Sequence, residues 1–146
     1  MLKNYIYSLP QIMKNFPKIK IALVDDDNDE MFLFQSALDE IDVNYSFYYF
    51  KSSDEFSTAI ATKQLSPDIV FIDMHMPKKN GLELVQEMRK DKNFDKIKSV
   101  IYSNSVSEVV IQAFRSLGTT DFIIKPPDIA EMKSILKKLI DTFIEK

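Results

Sequence analysis

Five short apolar runs, rich in β-branched and aromatic residues, alternate with longer stretches of helical period, and this alternation constrains the fold more than any other feature. The runs occupy 19–24, 45–50, 68–72, 97–102 and 121–124, and the intervening helical patterns fall near 28–41, 53–63, 81–91, 106–117 and 128–144. In the last of these, Ile129, Met132, Ile135, Leu136, Leu139, Ile140 and Phe143 share one stripe, the spacing of a helix packed on a core. Strands separated by helices imply right-handed crossovers and a parallel sheet covered on both faces, so IALV and IVFI read as continuous rather than alternating apolar runs. The expectation is a doubly wound α/β domain. A closed barrel would need about eight such units and roughly 250 residues, against a chain of 146.

That length suits one core, and 45% hydrophobic with 28% charged residues is the composition of a globular domain. A net charge of -3, with lysines scattered among acids, lacks the basic footprint of a nucleic-acid binder. The absence of cysteine excludes disulfides, thiolate metal sites and cysteine nucleophiles. No run approaches the roughly 18 apolar residues of a membrane span, and the N-terminus has no signal-peptide pattern, so a cytoplasmic location is expected. GxGxxG and GxxxxGK[ST] are both absent, which leaves a nucleotide site without support. The two glycines sit where backbone freedom is useful: Gly81 opens a helix, and Gly118 follows one as a C-cap.

Residues 1–18 lie outside the alternation and read as an N-terminal extension to a domain over 19–146. Leu2, Tyr5, Ile6 and Leu9 can form one face of a short helix, but Pro10 and Pro17 interrupt anything longer. A flexible or loosely packed extension is expected, with a docking or self-association arm as the alternative.

Open α/β sheets bind ligands beyond the carboxyl ends of their strands, where strand order reverses. The first run ends in Asp25 and Asp26, the third in Asp73, the fourth in Ser103 and the fifth in Lys125. In a five-stranded, flavodoxin-like order 2-1-3-4-5 with five helices, the first and third strands are neighbours, and three carboxylates converge beside a hydroxyl and a lysine. Two carboxylates about 4 Å apart repel by roughly 4 kcal/mol at an effective dielectric near 20, so a positive group is required among them. With oxygen ligands only, Mg²⁺ or Mn²⁺ is the natural candidate. Metal, lysine and hydroxyl around a carboxylate are the parts needed for phosphoryl transfer to that carboxylate. Taken singly, an aspartate after a strand is usually a helix cap and Ser103 or Lys125 an ordinary loop residue. Their joint placement at four strand ends is the specific signal.

Four stretches, VDDD at 24–27, DIVFIDMHMPKKNG at 68–81, IYSNS at 101–105 and DFIIKPP at 121–127, resemble the response-regulator receiver domain of two-component signalling, over roughly residues 19–144. The resemblance implies a phosphoacceptor, Asp73, that takes a phosphoryl group from a phosphohistidine on a sensor histidine kinase or histidine phosphotransfer protein. It implies that Asp25 and Asp26 hold the divalent cation together with Asp73 and the backbone carbonyl of His75. It gives Lys125 an ion pair with the phosphoryl group, and Ser103 a hydrogen bond to it. A cis peptide between Lys125 and Pro126 is usual in such proteins. The implied switch draws Ser103 inward, lets Phe122 turn in, and alters the surface of the fourth helix, fifth strand and fifth helix for an unknown protein partner, with homodimerisation possible. Such a protein catalyses only its own phosphorylation and dephosphorylation and is not otherwise an enzyme. With the last helix ending near Lys146, a stand-alone receiver is expected.

Two departures from the common pattern stand out. Phe122 lacks the hydroxyl of the frequent tyrosine, and Asn104 replaces a small residue and can shield the phosphoryl group from water. The resemblance uses the backbone oxygen of His75, the sole histidine, and leaves its ring near the rim of the site. Alternatives are a small Mg²⁺-dependent phosphohydrolase of the haloacid dehalogenase type, or a receiver-like binding module that is not phosphorylated. Asp25 and Asp27 fit the former's aspartate spacing, but Asp29 stands where Thr or Val is expected. A calcium loop fails at Glu30 and Ser36, which replace the required glycine and glutamate. Asp27 instead reads as the cap of the first helix, with Glu30 completing a capping box and Asp29 and Glu30 suiting the helix dipole.

Overall fold

The computed structural model describes residues 2–4, 18–119 and 121–145. Six strands form one sheet: β1 (Leu2–Asn4), β2 (Ile19–Val24), β3 (Tyr45–Phe50), β4 (Ile69–Ile72), β5 (Lys98–Ser103) and β6 (Asp121–Ile124). Five α-helices follow the parallel strands: α1 (Asn28–Asp39), α2 (Ser53–Ala61), α3 (Gly81–Met88), α4 (Glu108–Ser116) and α5 (Ile129–Glu145). The order is β1-β3-β2-β4-β5-β6, with β2 to β6 parallel and β1 antiparallel to β3. The five parallel strands therefore have the expected 2-1-3-4-5 order.

The N-terminal segment departs from expectation at its start. Leu2–Asn4 is an edge strand on β3, with Lys3 opposite Phe47, rather than part of a helix or a loose extension. The open edge of β3 offers unpaired backbone groups, and pairing satisfies them without any apolar pattern in the added strand. Tyr5, Ile6, Leu9, Pro10 and Pro17 lie outside the described residues.

Each apolar run splits its side chains between two cores, because successive residues in a strand point to opposite faces. Ile21, Leu23, Phe47, Phe71, Val100 and Tyr102 pack with Phe34 and Leu38 of α1 and with Met132, Leu136 and Ile140 of α5. Ala22, Val24, Val70, Ile72 and Ile101 pack with Phe56 of α2, Leu84, Val85 and Met88 of α3, and Phe114 of α4. Phe34 is a hub of the first core, with ring centroids 5.6 Å from Phe47, 4.8 Å from Phe71 and 5.8 Å from Tyr102. Burying such a ring contributes roughly 1.5–3 kcal/mol by area alone.

Register then fixes the site. Val24 pairs with Ile72, Ile72 with Ile101, and Ser103 with Ile124. The Asp73 backbone N–H donates to the Val24 carbonyl at 2.9 Å and the Lys125 N–H to the Ser103 carbonyl at 2.9 Å. The residues at four strand ends are thereby set side by side.

Helix caps carry the chain away from that edge. Asp27 caps α1 by accepting from Asp29 N–H at 2.9 Å. The capping box expected with Glu30 is not formed, because the Glu30 carboxylate accepts the Tyr102 hydroxyl at 2.7 Å instead. A full capping box is found at α3, between Asn80 and Glu83. Gly118, at φ +86°, ends α4 in the left-handed region as expected. The need at Gly81 is proximity rather than backbone freedom: a Cβ there would meet the Asp73 carbonyl oxygen at 2.6 Å.

Candidate functional site

Asp25, Asp26 and Asp73 bring one carboxylate oxygen each within 4.8 Å of one another, with Asp25 and Asp73 buried and Asp26 exposed. Asp25 is anchored by the Asp27 N–H, which donates to its Oδ1 at 2.9 Å. Asp73 Oδ1 accepts the His75 N–H at 3.3 Å. Lys125 enters from β6, its Nζ lying 2.9 Å from Asp25 Oδ2 and 3.6 Å from Asp73 Oδ1. Only 6% of its side chain is exposed, so this contact is desolvated.

Lys125 reaches its acceptors from a trans peptide. No cis bond occurs among the described residues, which corrects the cis peptide expected at Lys125–Pro126. Trans is the lower-energy isomer of an X-Pro bond by about 0.5–1 kcal/mol, and the four-carbon stem of lysine spans the remaining distance.

The electrostatics follow from burial. Desolvation raises the Asp25 pKa from 3.8 to about 6, against the opposing effect of Lys125 and the Asp27 N–H. Asp73 is shifted upward for the same leading reason, with Lys125 opposing. Burial disfavours the Lys125 charge, but contact with Asp25 and the field of Asp73 overcome it and raise its pKa. One ammonium thus faces two of the three clustered carboxylates.

A divalent cation fits this donor set. All candidate ligand atoms are hard oxygens, and Asp25 Oδ2 is buried with no aligned hydrogen bond, its contact with Lys125 being an ion pair alone. His75 is exposed at the rim, as expected.

Ser103 is fully buried, and its hydroxyl donates to the Ser105 carbonyl at 3.3 Å. Phe122 is half-buried, edge-on to Phe114 with centroids 5.8 Å apart. Asn104 is exposed next to Ser103. The structure also shows a contact that the sequence reading did not anticipate: Lys125 Nζ lies over the Tyr102 ring, 5.2 Å from its centroid.

The response regulator receiver domain family matches residues 21–137. The chain belongs to that family. Among curated relatives of this receiver domain, the probable C4-dicarboxylate response regulator DctR of Bacillus subtilis (strain 168) is 33% identical over 76 residues, or 52% of the chain and 33% of the relative. Hybrid signal transduction histidine kinase D of Dictyostelium discoideum is 30% identical over 118 residues, or 80% of the chain and 7% of the relative. The chain thus spans a third or less of the length of these relatives. Among solved structures, the phosphorylated cyanobacterial phytochrome response regulator RcpA superposes with TM-score 0.77 at 25% identity, covering 88% of this chain and 95% of that one. The Mn²⁺-bound form of response regulator Rcp1 shares the fold, with TM-score 0.74 at 19% identity over 88% of this chain and 96% of that one. No helix among the described residues is long and apolar enough to cross a membrane.

Proposed function

We propose that this receiver domain accepts a phosphoryl group on Asp73 from a phosphohistidine of a sensor histidine kinase or histidine phosphotransfer protein, and signals by binding another protein. The observation that carries the reading is the desolvated Lys125 ammonium between Asp25 and Asp73, with Asp26 alongside. A carboxylate oxygen of Asp73 forms the new O–P bond while the P–N bond of the donor breaks, its electron pair returning to the imidazole. Burial keeps that carboxylate more basic than an exposed one and therefore more nucleophilic.

Asp25, Asp26, Asp73 and the His75 carbonyl would hold Mg²⁺ or Mn²⁺, which when bound neutralises the carboxylates and the transferring oxygens. Lys125 then pairs with the phosphoryl group and Ser103 donates to it, giving up its bond to Ser105. Movement of Ser103 alters the packing of Phe122 on Phe114 and so the α4–β6–α5 surface. That surface carries exposed apolar residues on each element, Val109, Ile124 and Ile144, suited to a protein partner in the cytoplasm. Turnover beyond its own phosphorylation and dephosphorylation is not part of this function. Titrating beryllofluoride with Mg²⁺ by calorimetry tests the reading: wild type should bind one equivalent and Asp73→Asn none, whereas equal binding by both would refute it.

A further inference from the structure

Tyr102, the strand residue before Ser103, is 0% exposed, and three contacts fix its place. Phe34 packs edge-on at 5.8 Å, the backbone pairs with Ile123 across to β6, and the hydroxyl donates to Glu30 Oε2 at 2.7 Å. The ring presents its face to Lys125 Nζ at 5.2 Å. Glu30 and Tyr102 are 72 residues apart, so the contact links α1, just after the acidic pair, to β5.

A lysine has a flexible stem, and pairing it with a phosphoryl group requires the ammonium to be held near the phosphoacceptor before the group arrives. Asp25, 2.9 Å away, competes with Asp73, 3.6 Å away, for that ammonium. An aromatic face beneath it attracts the cation without accepting its protons in a hydrogen bond, so the lysine can change acceptor without leaving its seat. Glu30 keeps the ring from tilting, and burial followed by the Glu30 carboxylate holds the Tyr102 hydroxyl protonated, so that it remains a donor.

Building on the phosphoacceptor reading, we infer that Tyr102 is a positioning residue for Lys125, its ring seating the ammonium and Glu30 fixing the ring through the tyrosine hydroxyl. Tyr102 touches neither the phosphoryl group nor the cation ligands in this scheme and acts through the lysine.

The test is a double-mutant cycle on the full chain. Calorimetric beryllofluoride affinity in Mg²⁺ is measured for wild type, Tyr102→Leu, Lys125→Met and the double variant. Tyr102→Leu should weaken binding roughly fivefold, on the scale of one cation–π contact, and have no further effect once Lys125 is Met. Tyr102→Phe, which keeps the ring and the core packing, should recover most of the loss. In EDTA, the urea midpoints of the same four proteins should be non-additive, a readout independent of cation and phosphoryl analogue. Equal loss with and without Lys125, or additive midpoints, assigns Tyr102 to packing alone and overturns the inference. Should Tyr102→Leu not fold, the cycle is run with Tyr102→Phe, whose smaller loss must likewise vanish with Lys125→Met. Failure of wild type to bind beryllofluoride overturns the phosphoacceptor reading itself, which separates the two outcomes.

Discussion

Lys125 Nζ lies 2.9 Å from Asp25 Oδ2, in a contact where 6% of one side chain and none of the other is exposed. A desolvated pair of this kind is weak evidence for stability in itself, but removing one partner strands the other. Here the stranded group would be a carboxylate beside Asp73. Lys125→Met should therefore destabilise the metal-free protein by about 2–4 kcal/mol, and saturating Mg²⁺ should restore most of it by supplying the missing charge. Urea unfolding in EDTA and in Mg²⁺ checks this; an equal loss in both would show that no cation enters the cluster.

The raised Asp25 pKa gives stability a pH dependence of defined sign. The folded state holds the proton more tightly than the unfolded state, so the contribution of this group falls as pH rises from about 3.8 through about 6. The shift corresponds to on the order of 3 kcal/mol lost by neutral pH. In EDTA, the gap between Asp25→Asn and wild type should widen in favour of the variant across that interval. Stabilisation by Mg²⁺ should be larger at pH 7.5 than at pH 5 and weaker in the variant. A gap that stays constant with pH would contradict the assignment.

Gly81 and Gly118 are predicted to fail for different reasons. Gly81→Ala drives a methyl into the Asp73 carbonyl at 2.6 Å and Met74 Cα at 3.0 Å, both backbone atoms, and should cost about 1–3 kcal/mol while displacing Asp73. Gly118→Ala meets only an Arg89 side-chain atom at 4.0 Å, so its cost of about 1 kcal/mol comes from φ +86° alone. Both variants should show lower urea midpoints, but only Gly81→Ala should also lose beryllofluoride affinity.

Asn104 is exposed beside Ser103, and under the proposed function its side chain would screen an acyl phosphate on Asp73 from water. Asn104→Ala should shorten the lifetime of phosphorylated protein about threefold, equivalent to well under 1.4 kcal/mol of barrier. Following acyl-phosphate loss with time decides the point, and an unchanged lifetime removes the shielding role.

Much of the fold was legible because burial on both faces leaves an unmistakable mark: IALV and IVFI cannot be half-exposed strands, and the helices between them force parallel crossovers. The clustering was legible for the same reason, since Asp25, Asp73 and Lys125 stand immediately beyond a strand, Ser103 closes one, and parallel register aligns strand ends. β1 was not, because Leu2–Asn4 is recruited by the open edge of β3 and needs no pattern of its own. The need for glycine at 81 leaves no local mark, because the crowding carbonyl belongs to Asp73, eight positions earlier in the chain. Glu30 fits a local helix cap by spacing, whereas a hydroxyl 72 residues away takes its carboxylate. Local rules name the acceptors available to a side chain, and tertiary packing decides which one is used.

Cation-dependent phosphorylation of Asp73 is tested by intact mass after incubation with Mg²⁺ and a small phosphodonor. Wild type should gain one phosphoryl group, lost on adding EDTA beforehand and absent in Asp73→Asn. The same adduct on Asp73→Asn, no adduct on wild type, or release of many phosphates per protein would rule out Asp73 as the phosphoacceptor of a signalling domain.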